Sequence, residues 1–384
     1  MKVVVVGGGT GGHVTPIRPV LVELKKLNSN IQTHMIGHRG DGFSDRLSSD
    51  PNLDGQSLIF AGKWRRYANR SKIANLLDIK MTLLNVRDVF YIGIGFVQAL
   101  WILKKFSPDA VFIKGGYVGV PVGLACQLLK IEYITHDSDA LPGLANRFIA
   151  PKASLNAVGA PASYYSYPES KIKPVGVPIA SGHAPSSAID RKHAKSSLNL
   201  DPGLPVLLVT GGSLGARRIN NAILENAEAI CSRAQIVHIT GASNLAEVNE
   251  AVSQLPPQTR GHYRTIDFTD KMTDYIKAAD LVVTRAGATS VAELCASAKP
   301  AVFIPAAQLA DQIKNVDVLR SEGLEVVMES EFAEDSVVLA DKLISLLSDT
   351  KKLKFLSEAA LKNAKPRAAR DIAEIIVSLN KSSD

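Results

Sequence analysis

Two segments of the chain each run from a continuous apolar stretch directly into glycines. The first is Lys2–Val6 followed by residues 7–12, and the second is Val206–Thr210 followed by residues 211–215. Short apolar runs bounded by glycines are typical of buried parallel strands, and the residues after each glycine segment have the spacing of a helix. The repeated strand–glycine–helix pattern predicts two Rossmann-like α/β domains with parallel sheets.

Further strands and helices alternate in both halves of the 384-residue chain. The predicted strands are DAVFIKGG, IEYITHD, QIVHITG, DLVVTRAG and KPAVFIPA, and the predicted helices are VLVELKKL, VGLACQLLK and SVAELCASA. A polar stretch near residues 179–187 predicts the linker. We therefore predict domains over residues 1–180 and 181–365, followed by a helix over 366–384. Both glycine segments should face a cleft, because ligands of open α/β sheets bind beyond the C-terminal strand ends.

Composition narrows the possible partners. The formal charge of +7 favours an anionic ligand or surface, but no nucleic-acid-binding signature accompanies it. The three cysteines form no CxxC pair, which argues against a disulfide framework or a structural zinc site. The longest apolar run, residues 89–103, is too short to span a bilayer comfortably and predicts a buried or membrane-surface helix.

The first glycine segment allows two interpretations. Gly7, Gly9 and Gly12 match the dinucleotide fingerprint, and Arg39 after the second strand could hold a 2′-phosphate, so an NADP enzyme stays open. His13 follows these glycines at a predicted helix N-terminus, where the dipole disfavours a charged imidazolium. A neutral imidazole there is either a general base or a residue that caps the loop.

The second constellation is the segment TRAGATSVAEL, residues 284–294. The small residues Gly287 and Ala288 let backbone N–H groups approach a phosphate at the start of a helix. Glu293 lies about one turn further, where its carboxylate can accept hydrogen bonds from a ribose diol. The alternative is an ordinary surface glutamate.

Seven segments, in order along nearly the whole chain, resemble the MurG family. Members of this family transfer N-acetylglucosamine from UDP-GlcNAc to undecaprenyl-diphosphate-linked muramyl-pentapeptide during peptidoglycan synthesis. The segments are GGTGGHVTP (8–16), GGYVGVP (115–121), HDSDALPGLANR (136–147), GVP (176–178), GGSLGA (211–216), RAGATSVAE (285–293) and ADQIKN (310–315). The resemblance implies the two-domain GT-B glycosyltransferase architecture, with the final helix returning to the N-terminal domain.

The resemblance also implies roles for individual residues. His13 would be the catalytic base. The residues implied to contact the UDP-sugar are Thr10, Gly11, Gly12, Asp139, Ser213, Phe268, Thr269, Arg285, Ala288, Thr289, Ser290, Glu293 and Gln312. The residues implied on the acceptor side are Gly115, Gly116, Tyr117 and Asn146. The transfer would invert the anomeric configuration and need no metal or other cofactor, because helix N-terminal amides stabilise the leaving diphosphate.

The lipid acceptor implies a peripheral enzyme on the cytoplasmic face of the membrane. Seven basic residues and one acid lie among apolar residues between Lys63 and Arg87, a composition typical of a helix resting on anionic lipid. The residues predicted to dock are Lys63, Trp64, Arg65, Arg66 and Arg70. The alternative is a core-facing stripe with a solvated basic edge.

The chain also departs from the family pattern. Asp137, Ser138 and Asp139 replace the glutamate, glutamine and asparagine of the HEQN motif, and Ala180 replaces an arginine. These differences keep open a UDP-sugar epimerase, or a transferase that uses another lipid acceptor.

Overall fold

The structure is a computed structural model that describes residues 1–9, 11–40, 42, 47–63, 79–212 and 215–381. It divides into two compact units. Unit 1 comprises Met1–Ala180 and Arg367–Asp384, and unit 2 comprises Ser181–Pro366. Each unit is a parallel-sheet α/β domain, which confirms the predicted fold class.

Unit 1 contains a seven-stranded parallel sheet in the order β3-β2-β1-β4-β5-β6-β7. Its strands are β1 (Lys2–Val6), β2 (Gln32–His38), β3 (Gly55–Ile59), β4 (Ala110–Ile113), β5 (Tyr133–Asp137), β6 (Leu155–Val158) and β7 (Ile172–Pro174). The strand order reverses between β1 and β4, and ligands of such sheets bind at this reversal. The glycines after β1 and those after β4 therefore lie side by side at this reversal.

Unit 2 repeats this arrangement with six parallel strands in the order β10-β9-β8-β11-β12-β13. Its strands are β8 (Val206–Thr210), β9 (Gln235–Ile239), β10 (Tyr263–Ile266), β11 (Leu281–Arg285), β12 (Ala301–Ile304) and β13 (Glu325–Val326). The reversal falls between β8 and β11. It brings the second glycine segment next to the segment that starts at Arg285.

Helices cover both faces of each sheet. In unit 1 they are α1 (Gly11–Val14), α2 (Ile17–Leu27), α3 (Ile79–Phe106), α4 (Gly119–Leu129) and α5 (Leu144–Ile149). In unit 2 they are α6 (Ala188–Ser197), α7 (Arg217–Glu225), α8 (Ala227–Cys231), α9 (Leu245–Ser253), α10 (Pro257–Gly261), α11 (Met272–Ala278), α12 (Ala288–Ala296), α13 (Ala310–Ser321), α14 (Val337–Ser348) and α15 (Thr350–Lys362). The five strands and three helices whose segments were named from the sequence are all present, whereas most of the stretch between Lys63 and Arg87 lies outside the described residues.

The last helix, α16 (Ala368–Lys381), belongs to unit 1. Its apolar residues Ile372, Ala373 and Ile376 are buried in the same core cluster as Val20 and Leu24 of α2. The hydrophobic stripe of an amphipathic helix has to be covered, and α2 provides the cover. The chain thus ends on the domain in which it began.

Helix α3 is longer than the apolar run seen in the sequence. By length and composition alone its segment Met81–Phe106 could cross a membrane, because the helix extends beyond the apolar run of residues 89–103 on both sides. Only 28% of that segment is buried. Ala99, Ile102 and Leu103 on one face pack in the core of unit 1. The opposite face carries large apolar residues that are 45–68% exposed, namely Leu83, Val86, Phe90, Ile94, Val97 and Trp101.

Candidate functional site

His13 lies on α1, directly after the first glycine segment, and its ring covers two glycines that follow β4. Gly115 and Gly116 have φ of +123° and +79°. A Cβ atom on Gly115 would be 3.2 Å from His13 Nδ1, and one on Gly116 would collide with the Gly8 carbonyl oxygen. Side chains are therefore excluded here on both conformational and steric grounds. The fold brings two residues predicted on the acceptor side into contact with the predicted base.

His13 is neutral at physiological pH. Burial and the nearby Lys114 ammonium lower the pKa of His13 to about 3. The sequence predicted that the charged form of His13 would be disfavoured, and the lowered pKa agrees with this. The prediction assigned the effect to the helix dipole, whereas the causes found in the structure are burial and the Lys114 cation. Its Nδ1 is buried and has no hydrogen-bond partner in the described part of the chain. A neutral imidazole keeps one nitrogen free to take a proton.

Lys114 is a functional candidate that the sequence analysis missed. It follows β4 and is 2% exposed, which is rare for a lysine. Burial lowers the pKa of Lys114 to about 8, although the negative charges of Asp137 and Asp139 act to raise it. The charge on Asp139, where the family pattern has an asparagine, thus faces a buried cation. The lysine immediately before the glycine pair in DAVFIKGG is the signal that could have revealed it.

Asn146 and Asp137 form a buried hydrogen-bonded pair next to these residues. Asn146 Nδ2 donates to Asp137 Oδ1 at 3.0 Å and to the His136 carbonyl oxygen at 3.0 Å. Asp137 also accepts from Tyr167 Oη at 2.8 Å and from the Gly143 N–H at 2.9 Å. Burial raises the pKa of Asp137, and the hydrogen bonds oppose this rise. The network fixes the loop after β5 at the edge where His13 lies.

Tyr117 directly follows the two glycines after β4 and lies at the same edge of the sheet. Its ring lies half-buried and packs edge-on against His38, with ring centroids 4.9 Å apart. A side chain on Gly9 would collide with the Tyr117 ring. The Tyr117 ring therefore links the glycines after β4 to the first glycine segment, which follows β1.

In unit 2, the first turn of α12 contains Ala288, Thr289 and Ser290. Among the described residues, no side chain caps this turn, and the turn contains no acidic residue. A Cβ atom on the N-cap residue Gly287 would meet nothing within 4 Å. The turn is the positive end of a nine-residue helix, and there is open space beside its N-cap residue. This geometry suits a phosphate.

Arg285 is held below that turn by a buried carboxylate. Its Nη1 is 2.6 Å from Glu329 Oε1, and the two side chains are 13% and 3% exposed. Glu329 Oε2 lies 3.2 Å from Arg218, at the start of α7 behind the other glycine segment. Glu329 was not identified from the sequence. It joins the two loops at the strand reversal of unit 2.

Glu293 lies one turn into α12, with its side chain 24% exposed. Burial raises the pKa of Glu293 to about 7. Its Oε1 is 3.9 Å from Nε2 of His183, which the sequence analysis also missed. The carboxylate is thus accessible to a ligand and only weakly solvated.

The other predicted nucleotide-side residues lie at the same strand edge of unit 2 or just beyond it. Gln312 on α13 accepts from the Ala306 N–H at 2.9 Å through Oε1. Phe268, after β10, is 56% exposed. Thr269 Oγ1 accepts from the Lys271 N–H at 3.0 Å. Asn315 Nδ2, which was not predicted, donates to the Ala286 carbonyl oxygen at 3.1 Å and supports the loop before α12.

Several predicted residues lie outside the described residues, namely Thr10, Trp64, Arg65, Arg66, Arg70 and Ser213. Gly11 and Gly12 begin α1. Lys63 is exposed, and its N–H donates to Asp88 on α3 at 3.1 Å. Among the residues that the structure describes, no group of three or more His, Cys, Asp or Glu side chains is placed to hold a metal ion.

Comparisons with known proteins agree with this arrangement. Residues 3–157 match the model of the glycosyltransferase family 28 N-terminal domain, and residues 206–374 match that of its C-terminal domain. These two matches, one over the parallel-sheet domain of each unit, show that the chain is a glycosyltransferase of this class.

Individual relatives narrow the class further. A Clostridium botulinum (strain 657 / Type Ba4) protein named UDP-N-acetylglucosamine--N-acetylmuramyl-(pentapeptide) pyrophosphoryl-undecaprenol N-acetylglucosamine transferase is 34% identical over 88% of this chain and 89% of its own length. A protein of the same name from Halothermothrix orenii is 32% identical over the full length of both. The crystal structure of Acinetobacter baumannii MurG has a TM-score of 0.73 at 23% identity, over 98% of this chain and 99% of that one. The chain belongs to the MurG family of glycosyltransferase family 28.

Proposed function

We propose that the protein transfers N-acetylglucosamine from UDP-GlcNAc to undecaprenyl-diphosphate-linked N-acetylmuramyl-pentapeptide. The observation that carries this proposal is that a chain of the MurG family contains two complementary arrangements of residues, one in each unit. Unit 1 holds a neutral histidine over a glycine pair, and unit 2 holds an uncapped helix N-terminus with a carboxylate one turn further. The first arrangement can take a proton, and the second can bind a nucleoside diphosphate.

The proposed reaction is a single inverting displacement. The acceptor hydroxyl attacks the anomeric carbon as the bond from that carbon to the UDP oxygen breaks, and His13 takes the hydroxyl proton. The N–H groups of Ala288, Thr289 and Ser290 stabilise the negative charge on the departing diphosphate. Glu293 accepts hydrogen bonds from the ribose hydroxyls. The backbone near Phe268 would read the uracil edge, and Gln312 the sugar.

The decisive experiment for the nucleotide assignment is the substitution Glu293→Ala. If Glu293 binds the ribose diol, the variant should lose about 1–3 kcal/mol of UDP binding, the scale of hydrogen bonds to charged groups. Calorimetry with UDP and with 2′,3′-dideoxy-UDP measures this loss. The dideoxy ligand should bind wild type and variant alike, and Glu250→Ala, an exposed residue on α9, serves as the matched control. An equal loss for both ligands would exclude the ribose role.

The mechanism needs no divalent ion, because fixed backbone amides replace it. Turnover should therefore be unchanged in excess EDTA. The assay uses UDP-GlcNAc and a short-chain acceptor, with magnesium or manganese added back to a parallel sample. Loss of turnover on chelation and its recovery with metal would refute the proposed leaving-group stabilisation.

We further propose that the exposed apolar face of α3 rests on an anionic membrane where the lipid acceptor is found. Its large residues recur every three or four positions, and Arg87, Lys104 and Lys105 are exposed beside them. Apolar side chains entering the interface next to basic residues are typical of peripheral membrane binding. Lys63, linked to Asp88 of this helix, extends the basic edge.

Replacing Phe90 and Val97 by asparagine should reduce binding to anionic vesicles by about tenfold or more, because each side chain contributes about 1.5–3 kcal/mol when buried. Vesicle co-sedimentation at low salt measures the change. Val337 and Val338 in unit 2 are both 47% exposed, and their replacement by asparagine is the matched control. Unchanged co-sedimentation of the α3 variant would rule out this face as the docking surface.

A further inference from the structure

We propose that His183 is a positioning residue that orients the Glu293 carboxylate toward the nucleotide ribose. The inference rests on the proposed function and assigns a role to a residue outside every motif. His183 lies in the segment that joins the two units, three residues after Ala180. Nucleotide binding in unit 2 would then depend on a side chain from the linker.

The linker holds His183 in one place. Gly182 before it has φ of +104°, a conformation that few side chains tolerate, and lies against Thr273 of α11. The His183 side chain is only 4% exposed. Its Nδ1 is 3.2 Å from Ser297 Oγ at the end of α12, and its Nε2 is 3.9 Å from Glu293 Oε1. The imidazole therefore lies between a buried hydroxyl and the candidate ribose-binding carboxylate.

These contacts favour one tautomer. Burial and the Lys277 ammonium lower the pKa of His183 below its ordinary value of about 6.5. The ring is therefore neutral at any pH above about 6.5. The Ser297 hydroxyl can donate to Nδ1 or accept from it, whereas an ionised carboxylate can only accept. The tautomer that suits both neighbours therefore has its proton on Nε2, the nitrogen that faces Glu293, with Ser297 donating to Nδ1. A separation of 3.9 Å exceeds a hydrogen bond, but rotation of the partly exposed Glu293 side chain can close it when the ribose draws the carboxylate into place.

The other charged groups near α12 are directed toward partners other than the Glu293 carboxylate. Lys277 on α11 lies near the imidazole, and Glu322 faces Cys295 on the buried side of α12. Lys299, after α12, donates to the carbonyl oxygens of residues 277 and 279 at 2.8 and 2.9 Å. Among the lysine, arginine and histidine side chains of the described residues, only His183 has a nitrogen within 4 Å of the Glu293 carboxylate.

The arrangement should make UDP affinity depend on pH. Burial raises the pKa of Glu293 to about 7, so the carboxylate forms as the pH rises through that value. Ribose hydroxyls donate best to the ionised form, so UDP affinity should increase from pH 6 to pH 8. The Nε2 proton of His183 supports the ionised form more strongly than the protonated form, because hydrogen bonds to a charged oxygen are the stronger ones.

The test is UDP binding by calorimetry between pH 5.5 and 9, for wild type, His183→Gln and His183→Asn. The glutamine amide reaches the position of Nε2, whereas the asparagine amide reaches only that of Nδ1. At pH 8–9 His183→Asn should bind UDP about tenfold more weakly, the lower end of the range for a hydrogen bond to a charged group. His183→Gln should keep most of the affinity. At pH 5.5, where Glu293 is protonated, wild type and both variants should converge.

Two further variants separate failure of this inference from failure of the proposed function. Ser297→Ala removes the hydroxyl that fixes the tautomer, and it should lose part of the affinity at pH 8 but none at pH 5.5. Glu293→Gln should remove the pH dependence. If Glu293→Gln weakens binding while His183→Asn follows wild type at every pH, His183 has no positioning role. If Glu293→Gln itself binds UDP like wild type, the ribose assignment in the proposed function is wrong.

Discussion

Replacing His13 by alanine should lower kcat by about 10²–10⁴-fold, the usual contribution of a general base. UDP affinity should change little, because the residues proposed to bind the diphosphate and the ribose, Ala288, Thr289, Ser290 and Glu293, belong to unit 2, whereas His13 lies in unit 1. Steady-state transfer assays combined with UDP calorimetry measure both quantities. His34→Ala, at the start of β2, is a control histidine variant that should keep normal turnover.

The pH profile provides an independent check on His13. Because the pKa of His13 is lowered to about 3, the imidazole is already neutral throughout the range from pH 5 to pH 8. Activity should therefore show no loss from His13 until the pH falls toward 3. An activity rise near pH 7 should instead follow Glu293 and disappear in Glu293→Gln. If His13→Ala keeps near-normal turnover, or loses only UDP affinity, His13 caps the loop and Asp139 becomes the next candidate base.

The second large effect is expected for Glu329→Gln, which should destabilise unit 2 by about 3–5 kcal/mol, the cost of leaving a buried charge without its partner. Glu329 is almost fully buried between Arg285 and Arg218, and the substitution leaves the Arg285 guanidinium uncompensated. UDP affinity should fall as well, because Arg285 supports the loop before α12.

The measurement has to report on unit 2 specifically. Both tryptophans, Trp64 and Trp101, belong to unit 1, so their fluorescence would not follow the change. Hydrogen exchange of the β11 and β12 amides in increasing urea is suitable. Arg218→Gln is the matched control, because its side chain is 66% exposed and exposed ion pairs contribute about 1 kcal/mol or less. Equal protection in Glu329→Gln and wild type would contradict the argument.

Local sequence patterns predicted much of the fold. Continuous apolar runs such as Val206–Thr210 became central strands, because a strand covered on both faces needs apolar residues throughout. The segments with helical spacing became helices α2, α4 and α12. The glycine segments and His13 were found because their chemistry is encoded in adjacent residues.

Residues that act through distant partners were not predicted. His183 and Ser297 are 114 positions apart, and Arg218 and Glu329 are 111 apart. No periodicity or motif connects such positions. Only the strand order, which places β8 next to β11, and the packing of the linker on unit 2 bring them together. Similarly, the sequence showed that α3 is apolar, but not which of its faces would be exposed.

The sequence by itself determined the two α/β domains, the glycine segments that follow their central strands and the family to which the chain belongs. These features depend on short-range rules of strand burial, backbone freedom and helix spacing. The tertiary structure decided the charge state of the site. Burial, together with the Lys114 ammonium, keeps His13 neutral, and burial raises the pKa of Glu293. The physical reason is that desolvation and Coulomb interactions depend on neighbours in space, and the fold alone determines those neighbours.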